Sequence, residues 1–270
     1  MQNKNEFTPE NGSPDATPES PRRRRGIYLL PNLFTTCGLF SGFYAIVAAM
    51  KGFFDTAAIA IFIAMIADSL DGRVARLTNT ESAFGAEYDS LSDMAAFGVA
   101  PALVAYSWGL SSLGKIGWLI AFFYTAMAAL RLARFNTQHD HADRRYFSGL
   151  PSPPAAGVVA GLVWMGNDWG FTGTQLSWCL AIFTIMAGGL MVSNLRYYSF
   201  KDLDLKGKVP FIALLSVVFI LLGVSLDPPN ILFLVFFIYA LSGPVLWAMR
   251  FQKIKEGIVW VKNLPKNRKK

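Results

Sequence analysis

The chain has 270 residues, of which 53% are hydrophobic, and its mean hydropathy is +0.36. A soluble domain of this length would not carry so many long apolar runs, so the composition predicts a polytopic membrane protein. The net charge of +7 does not indicate nucleic-acid binding, because the basic residues lie at the ends of apolar runs rather than in a patch interleaved with aromatic residues.

The apolar pattern predicts an all-α fold. Residues 1–25 are polar, rich in Pro, Asn, Glu and Ser, and end in a run of arginines, so we expect a disordered, basic-ended tail. Residues 251–270 predict a second, basic tail. Apolar segments fall at 27–50, 54–77, 87–110, 114–136, 152–167, 174–196, 208–226 and 229–250, which predicts a helical membrane bundle of about eight transmembrane helices. The fifth of these segments is short and begins at prolines, so we expect it to be tilted or partly re-entrant.

The basic residues predict the orientation of this bundle. With eight spans, both termini and the loops after the second, fourth and sixth helices lie on one side of the membrane. Of the 25 Lys and Arg residues, only Lys51 and Lys115 belong to loops on the other side, which leaves 23 on the first side or in the helix halves that face it. The positive-inside rule makes the first side cytoplasmic, so we expect both termini in the cytoplasm.

The stretch from Asp68 to Asp93 carries four aspartates inside or beside segments that are apolar enough to enter a bilayer. If the stretch is helical, the aspartates fall on two helix faces, each with a glycine. The first face holds Asp68, Asp71, Gly72, Ala75 and Arg76, and the second holds Gly85, Asp89 and Asp93.

Four acidic groups in such a place predict a metal site. An ionised carboxylate costs about 2.5–3.5 kcal/mol at the centre of a membrane helix, and a pair about 4 Å apart repels by about 4 kcal/mol at an effective dielectric near 20. One arginine cannot neutralise four acids, whereas one or two divalent cations can, and oxygen-only ligands favour a hard ion such as Mg²⁺, Mn²⁺ or Ca²⁺. The alternative is a salt-bridged structural cluster, which leaves the glycines and the excess of acid unexplained.

The whole pattern, D-x2-D-G-x2-A-R-x8-G-x3-D-x3-D, resembles the signature of the CDP-alcohol phosphatidyltransferases, which are membrane enzymes that make phospholipids from CDP-activated lipids. This resemblance implies two divalent cations, Mg²⁺ or Mn²⁺. It implies that Asp68, Asp71, Asp89 and Asp93 are the metal ligands, and that Asp93 is also the general base. It assigns contacts with the CDP-lipid to Asn32, Thr35, Gly72, Arg76, Ser82 and Gly85. Taken alone, a polar pair such as Asn32 and Thr35 near a helix end is more often a local cap or an interfacial contact.

Two later stretches concern the acceptor alcohol. The end of the fourth helix, ALRLARFN, and residues 146–157, YFSGLPSPPAAG, resemble the phosphatidylserine synthases of the bacterial and archaeal membrane type. Arg131 and Arg134 are three residues apart, so their guanidinium groups can hold a carboxylate or a lipid phosphate, and Asn136 can hold the polar groups of an amino acid. The alternative for the arginines is snorkelling to phospholipid head groups.

The resemblance thus implies transfer of a phosphatidyl group from CDP-diacylglycerol to the hydroxyl of L-serine, with release of CMP. The site would face the cytoplasm from the inner cell membrane, in a homodimer surrounded by membrane lipids. The catalytic six-helix core would span 26–200, with two additional helices at 201–250. Two alternatives stay open: a sister transferase that uses glycerol 3-phosphate or an inositol phosphate, and a cation or proton transporter, since acids within membranes often mark such pathways. Clustering of the acids at one membrane face argues against the transporter.

Overall fold

The computed structural model describes residues 29–78, 80, 82–137, 146–198 and 211–262. The tail predicted at 1–25 and the last eight residues of the tail predicted at 251–270 lie outside this part of the chain.

Helices dominate the described residues. The α-helices are α1 (Leu29–Met50), α2 (Phe54–Thr78), α3 (Ala83–Asp93), α4 (Ala100–Trp108), α5 (Lys115–Thr137), α6 (Ser152–Asp168), α7 (Ser177–Val192), α8 (Phe211–Leu226) and α9 (Pro228–Lys262). A π-helical turn, Met94–Val99, joins α3 to α4 without a break, and a short 3₁₀ turn, Leu110–Leu113, precedes α5. A helix therefore occupies each predicted apolar segment, with α3, the π turn and α4 together forming the third.

Three of these helices are long and apolar enough to cross a membrane: Leu30–Met50, Lys115–Thr137 and Pro228–Met249. Large apolar side chains on their outer faces stay exposed, such as Phe40 at 67% and Phe122 at 63%. An outer surface of this kind is that of a helical membrane protein. The count of eight spans and the orientation of the termini stay predictions.

Helix α6 lies at the centre of the bundle and packs against α2, α4, α7 and α9. The segment that we expect to be tilted or partly re-entrant forms an unbroken helix of 17 residues, most of them buried. Glycines let α9 approach it closely: a Cβ atom placed on Gly157 would lie 2.6 Å from Phe236 Cγ, and one on Gly161 would lie 3.1 Å from Phe233 Cα. Small residues at a helix contact have this role in membrane bundles.

Two features differ from the prediction. Residues Tyr146–Ser148 (β1) and Arg196–Tyr198 (β2) pair as a short antiparallel ribbon, so the fold is not entirely helical, and α7 ends at Val192 rather than at 196. The aromatic residues in both strands favour extended backbone. Helix α9 continues to Lys262, twelve residues beyond the predicted end at 250. The physical reason is that charged Lys and Glu residues end a hydropathy segment but are good helix formers.

The π turn lies where the third helix crosses α1. The N–H of Ala100 donates to the carbonyl of Ala95, five residues earlier, so the turn holds one residue more than an α-helical turn. A Cβ atom placed on Gly42 of α1 would lie 2.6 Å from Ala96 Cα in this turn. The backbones of α1 and the third helix are therefore in close contact directly after Asp93.

Candidate active site

Two successive helices bring the aspartates together. Asp68 and Asp71 lie one turn apart on α2, and Asp89 and Asp93 lie one turn apart on α3. The α3 helix begins at an N-cap, Ser82, whose Oγ accepts a hydrogen bond from the N–H of Gly85 at 3.0 Å. This cap fixes where α3 starts and hence which of its faces turns toward α2.

The carboxylates meet in a narrow cleft. Carboxylate oxygens of Asp68, Asp71 and Asp89 lie within 4.8 Å of one another. Asp93 lines the same cleft, and its carboxyl interacts with those of Asp68 and Asp89. The lining residues come from α1, α2, α3 and the π turn: Thr35, Gly38, Ala64, Asp68, Asp71, Asp89, Ser92, Asp93, Ala96 and Phe97.

Helix α1 supplies one hydrogen-bond donor and one backbone acceptor to this cleft. The Thr35 hydroxyl donates to Asp71 Oδ2 at 2.9 Å, and both residues are buried. The buried Ser92 hydroxyl on α3 donates to the carbonyl of Thr35 at 3.0 Å. Thr35 thus ties α1 to both aspartate-bearing helices and holds one carboxylate oxygen of Asp71 in place.

Arg131 on α5 does not line the cleft, but it is the cation that interacts electrostatically with Asp93 among the described residues. Its guanidinium interacts with Asp93 and Asp68, and its Nη1 donates to Ser152 Oγ at 2.6 Å. One guanidinium cannot balance four carboxylates in an environment where charges are poorly screened. The excess negative charge calls for a further cation.

The donor set fits a hard divalent cation. All candidate ligand atoms are carboxylate oxygens, which Mg²⁺, Mn²⁺ and Ca²⁺ prefer. Oxygens that lie within 4.8 Å of one another can reach a common ion at the usual metal–oxygen distances of about 2.0–2.6 Å. Asp68, Asp71 and Asp89 therefore form a candidate metal site, with Asp93 beside it.

The residues predicted to contact a CDP-lipid form two groups, one at the start of α3 and one on α2. A Cβ atom placed on Gly85 would lie 3.1 Å from Ser82 Oγ and 3.5 Å from Asn32 Oδ1, so these three residues meet at the start of α3. Gly72 and Arg76 lie together on α2, where a Cβ atom on Gly72 would lie 3.8 Å from Arg76 Nη1. Thr35, the remaining member, is inside the cleft.

The three residues predicted to contact the acceptor are not in one place. Arg131 faces the aspartates, whereas Arg134 Nη2 donates to Ser148 Oγ at 3.1 Å and to Asn194 Oδ1 at 2.8 Å. Asn136 Nδ2 donates to Ser90 Oγ at 3.1 Å, next to Asp89 on α3. Arg131 is thus the acceptor candidate nearest to the carboxylates, whereas Arg134 binds Ser148 and Asn194 and Asn136 lies at the exposed end of α5.

Comparison with known families agrees with this arrangement. The sequence model described as CDP-alcohol phosphatidyltransferase matches residues 28–193, which is more than half of the chain and includes all four aspartates. The chain belongs to the CDP-alcohol phosphatidyltransferase family. Enzymes of this family generally depend on divalent cations, in agreement with the carboxylate cluster.

Several members of the CDP-alcohol phosphatidyltransferase family are similar to the chain over much of its length. A CDP-diacylglycerol–serine O-phosphatidyltransferase of Helicobacter pylori is 38% identical over 230 residues, which is 84% of this chain and 94% of that protein. A protein of the same name from Mycobacterium tuberculosis is 36% identical over 193 residues, 66% of each chain. One from Methanocaldococcus jannaschii is 38% identical over 142 residues, 53% of this chain and 63% of that protein.

Sequence reasoning missed several contacts of the predicted site residues and of their neighbours. Ser152, the partner of Arg131, is 21 residues away along the chain, and Asn194, a partner of Arg134, is 60 residues away. Thr36 and Tyr88 also form a hydroxyl pair at 3.0 Å between α1 and α3. No local spacing signals these contacts, although a polar serine between the prolines of 151–154 is a hint that it has a buried partner.

Proposed function

We propose that this chain transfers a phosphatidyl group from CDP-diacylglycerol to the hydroxyl of L-serine and releases CMP. The observation that carries the proposal is the meeting of the aspartates of α2 and α3 with Arg131 of α5. The carboxylates suit an activated, pyrophosphate-containing substrate, and the guanidinium suits an acceptor that carries a carboxylate. The relatives named for the serine reaction support the choice of acceptor.

Two divalent cations, Mg²⁺ or Mn²⁺, would be held by Asp68, Asp71, Asp89 and Asp93. When bound, they would neutralise the negative charge of the pyrophosphate and of the departing CMP. Asn32, Ser82 and Gly85 at the start of α3 and Gly72 and Arg76 on α2 would bind the CDP-lipid. Thr35 would orient Asp71 through its hydrogen bond.

In the proposed reaction, Asp93 takes the proton of the serine hydroxyl. The hydroxyl oxygen attacks the phosphorus that carries diacylglycerol, the bond from this phosphorus to the bridging oxygen breaks, and CMP leaves with the bonding electrons. A carboxylate is a weak base for an alcohol, so the proton moves as the new bond forms. Arg131, which interacts with Asp93, would hold the serine carboxylate so that the hydroxyl lies next to this base.

An assay with purified protein tests the proposal. The protein is incubated with CDP-diacylglycerol, Mn²⁺ or Mg²⁺, and labelled L-serine, glycerol 3-phosphate or inositol phosphate in separate reactions. Phosphatidylserine and CMP in equal amounts are expected from serine. A product from glycerol 3-phosphate or inositol phosphate instead would favour the sister transferases, since a guanidinium binds phosphate as well as carboxylate. Family membership leaves the transporter alternative without support.

Thr35 gives a specific prediction about cation binding. Thr35→Val removes the hydroxyl that donates to Asp71 but keeps the shape of the side chain. We expect the Mn²⁺ concentration for half-maximal activity to rise about tenfold, because loss of a partner that orients a metal ligand typically costs about 10–100-fold in affinity. Saturating Mn²⁺ should restore most of the rate.

Thr184→Val is the matched control for this variant. Thr184 is also buried, and its hydroxyl donates only to the carbonyl of Leu180 within α7 in the part of the chain that the structure describes. Its replacement should leave the Mn²⁺ dependence unchanged. An unchanged dependence in Thr35→Val as well would refute the orienting role of Thr35.

For the membrane, we propose eight spans, both termini in the cytoplasm and a homodimer in the inner membrane. The catalytic six-helix core would span 26–200, with the added helices at 201–250. The split of 23 basic residues against two supports this orientation. It places the aspartates at the cytoplasmic ends of their helices, where a CDP head group can reach them while the acyl chains stay in the bilayer.

Reporter fusions test this topology. A reporter inserted within residues 138–145 or fused after Lys270 should read cytoplasmic, and one inserted at Gly114 should read external. A C-terminus found outside would mean an odd number of spans, with the short α6 segment as the first candidate for a segment that does not cross.

A further inference from the structure

One short unit of the chain carries hydrogen-bond partners of both arginines. Arg134 Nη2 donates to Ser148 at the end of β1 and to Asn194, two residues before β2. Arg131 Nη1 donates to Ser152, the first residue of α6 and four residues after Ser148. The position of this unit, residues 146–152 with 194–198, therefore sets the direction of both guanidinium groups. We call it the arginine ribbon.

Backbone hydrogen bonds hold the arginine ribbon together. Ser148 pairs with Arg196 in the antiparallel register, and the N–H of Gly149 donates to the carbonyl of Leu195 at 2.8 Å. Gly149 has φ of +83°, and a Cβ atom there would collide with the carbonyl oxygen of Met191. The turn from β1 toward α6 therefore needs glycine at this position.

A buried tyrosine anchors the arginine ribbon to α9. Tyr197 of β2 is fully buried, and its hydroxyl donates to the carbonyl of Ala240 at 2.9 Å. Its ring lies 5.6 Å from the ring of Tyr239, and a Cβ atom placed on Gly243 would collide with the Tyr197 ring. Burial raises the pKa of Tyr197, so its hydroxyl stays protonated and remains a donor.

Helix α9 also comes near the site. Tyr239 lies close to the guanidinium of Arg131, which in turn interacts with Asp93. Both Tyr197 and α9 lie beyond residue 193, where the match to the family ends. The catalytic carboxylates thus lie within the family match, whereas the support of the arginine pair comes in part from outside it.

We propose that Tyr197 and α9 position the arginine pair and thereby set the affinity of the enzyme for the acceptor alcohol. Tyr197 is a positioning residue, because it acts through the arginine ribbon and has no place in the cleft. The last helix would then be a specificity element rather than only a membrane anchor. This inference rests on the proposed function, in which the arginine pair binds the acceptor.

Two substitutions test the inference, Tyr197→Phe and Gly243→Ala. The first removes one hydrogen bond to α9, and the second pushes a methyl group against the Tyr197 ring. We expect the KM for serine to rise about threefold to tenfold in Tyr197→Phe and about tenfold or more in Gly243→Ala. The KM for CDP-diacylglycerol and the Mn²⁺ dependence should stay at wild-type values.

Gly189→Ala is the matched control for Gly243→Ala. Gly189 is also within a helix, α7, and a Cβ atom there has no neighbour within 4 Å in the described part of the chain. It should leave both KM values unchanged. The double variant Tyr197→Phe with Gly243→Ala should show less than the product of the two single effects, because both changes act on one contact.

The outcomes separate the inference from the proposed function. An unchanged KM for serine in both variants would overturn the positioning role, and so would an equal loss for both substrates with a lowered melting temperature, which indicates general destabilisation. If the wild type uses glycerol 3-phosphate rather than serine, the proposed acceptor is wrong. The same comparison of KM values with glycerol 3-phosphate then decides whether α9 positions the arginine pair.

Discussion

Replacing Asp68, Asp71, Asp89 or Asp93 with asparagine is expected to lower phosphatidyl transfer by about a thousandfold or more, since even the loss of a residue that only orients a metal ligand costs about 10–100-fold. Asparagine keeps the size of the side chain but removes the negative charge that attracts a divalent cation. EDTA should have the same effect on the wild type, and Mn²⁺ or Mg²⁺ added in excess should reverse it. Rates of CMP release from CDP-diacylglycerol measure both effects.

The same substitutions should not unfold the bundle. Asp68, Asp71 and Asp89 have carboxylate oxygens within 4.8 Å of one another, so without cations their charges repel. Removing one charge relieves part of that repulsion. In EDTA, the asparagine variants are therefore expected to melt at the wild-type temperature or above it. This combination of lost activity and retained stability distinguishes a metal site from a salt-bridged structural cluster.

Asp55→Asn is the control for the aspartate series. Asp55 lies at the other end of α2, is exposed, and accepts a hydrogen bond from Asn167 Nδ2 at 2.7 Å. Its replacement removes one carboxylate from the same helix and should leave transfer at the wild-type rate. Full activity in EDTA, or an equal loss in Asp55→Asn, would contradict the metal site.

Arg131→Lys is expected to raise the KM for serine about 10- to 150-fold while the KM for CDP-diacylglycerol changes little. Lysine keeps the positive charge but loses the planar, two-pronged donor geometry that lets a guanidinium bind both oxygens of a carboxylate. The loss of one hydrogen bond to a charged group is worth about 1.5–3 kcal/mol, which corresponds to this range. Arg134→Lys should act in the same direction, through the arginine ribbon.

Two comparisons show whether Arg131→Lys raises the KM for serine by weakening acceptor binding. Arg76→Lys changes an arginine that is predicted to contact the CDP-lipid, so the KM for CDP-diacylglycerol should rise and that for serine should not. Serine esters, which lack the carboxylate charge, should be poor substrates for the wild type and lose little further in Arg131→Lys. If both Arg131→Lys and Arg134→Lys leave the serine kinetics untouched, these arginines have no part in binding the acceptor.

The spacing of the aspartates was enough to predict that they share a cleft. Residues three or four apart on a helix point the same way, so Asp68 with Asp71 and Asp89 with Asp93 each form one local unit. A short connection between α2 and α3 then leaves few ways to arrange the two units, and the structure brings them together. The apolar segments could also be predicted from the sequence, because a long run of hydrophobic residues favours a helix that is buried or faces lipid.

Contacts between distant elements could not be predicted in this way. The bond from Thr35 to Asp71 depends on how α1 crosses α2, which hydropathy does not specify. The arginine ribbon has strands of only three residues, too short for an alternating pattern to be recognised. Its anchor Tyr197 meets α9 43 residues later, at Ala240. Long-range geometry of this kind comes from packing rather than from local propensity.

Because of the π turn after Asp93, the number of residues between α3 and α4 matters as much as which residues they are. An α-helix advances about 100° per residue, so the extra residue in Met94–Val99 rotates α4 by that angle relative to α3. The turn therefore sets the angle between the face of α3 that carries Asp89 and Asp93 and the buried Val104 and Trp108 of α4. A chain one residue shorter here would turn α4 by about 100° relative to the carboxylates of α3, whichever amino acids it kept.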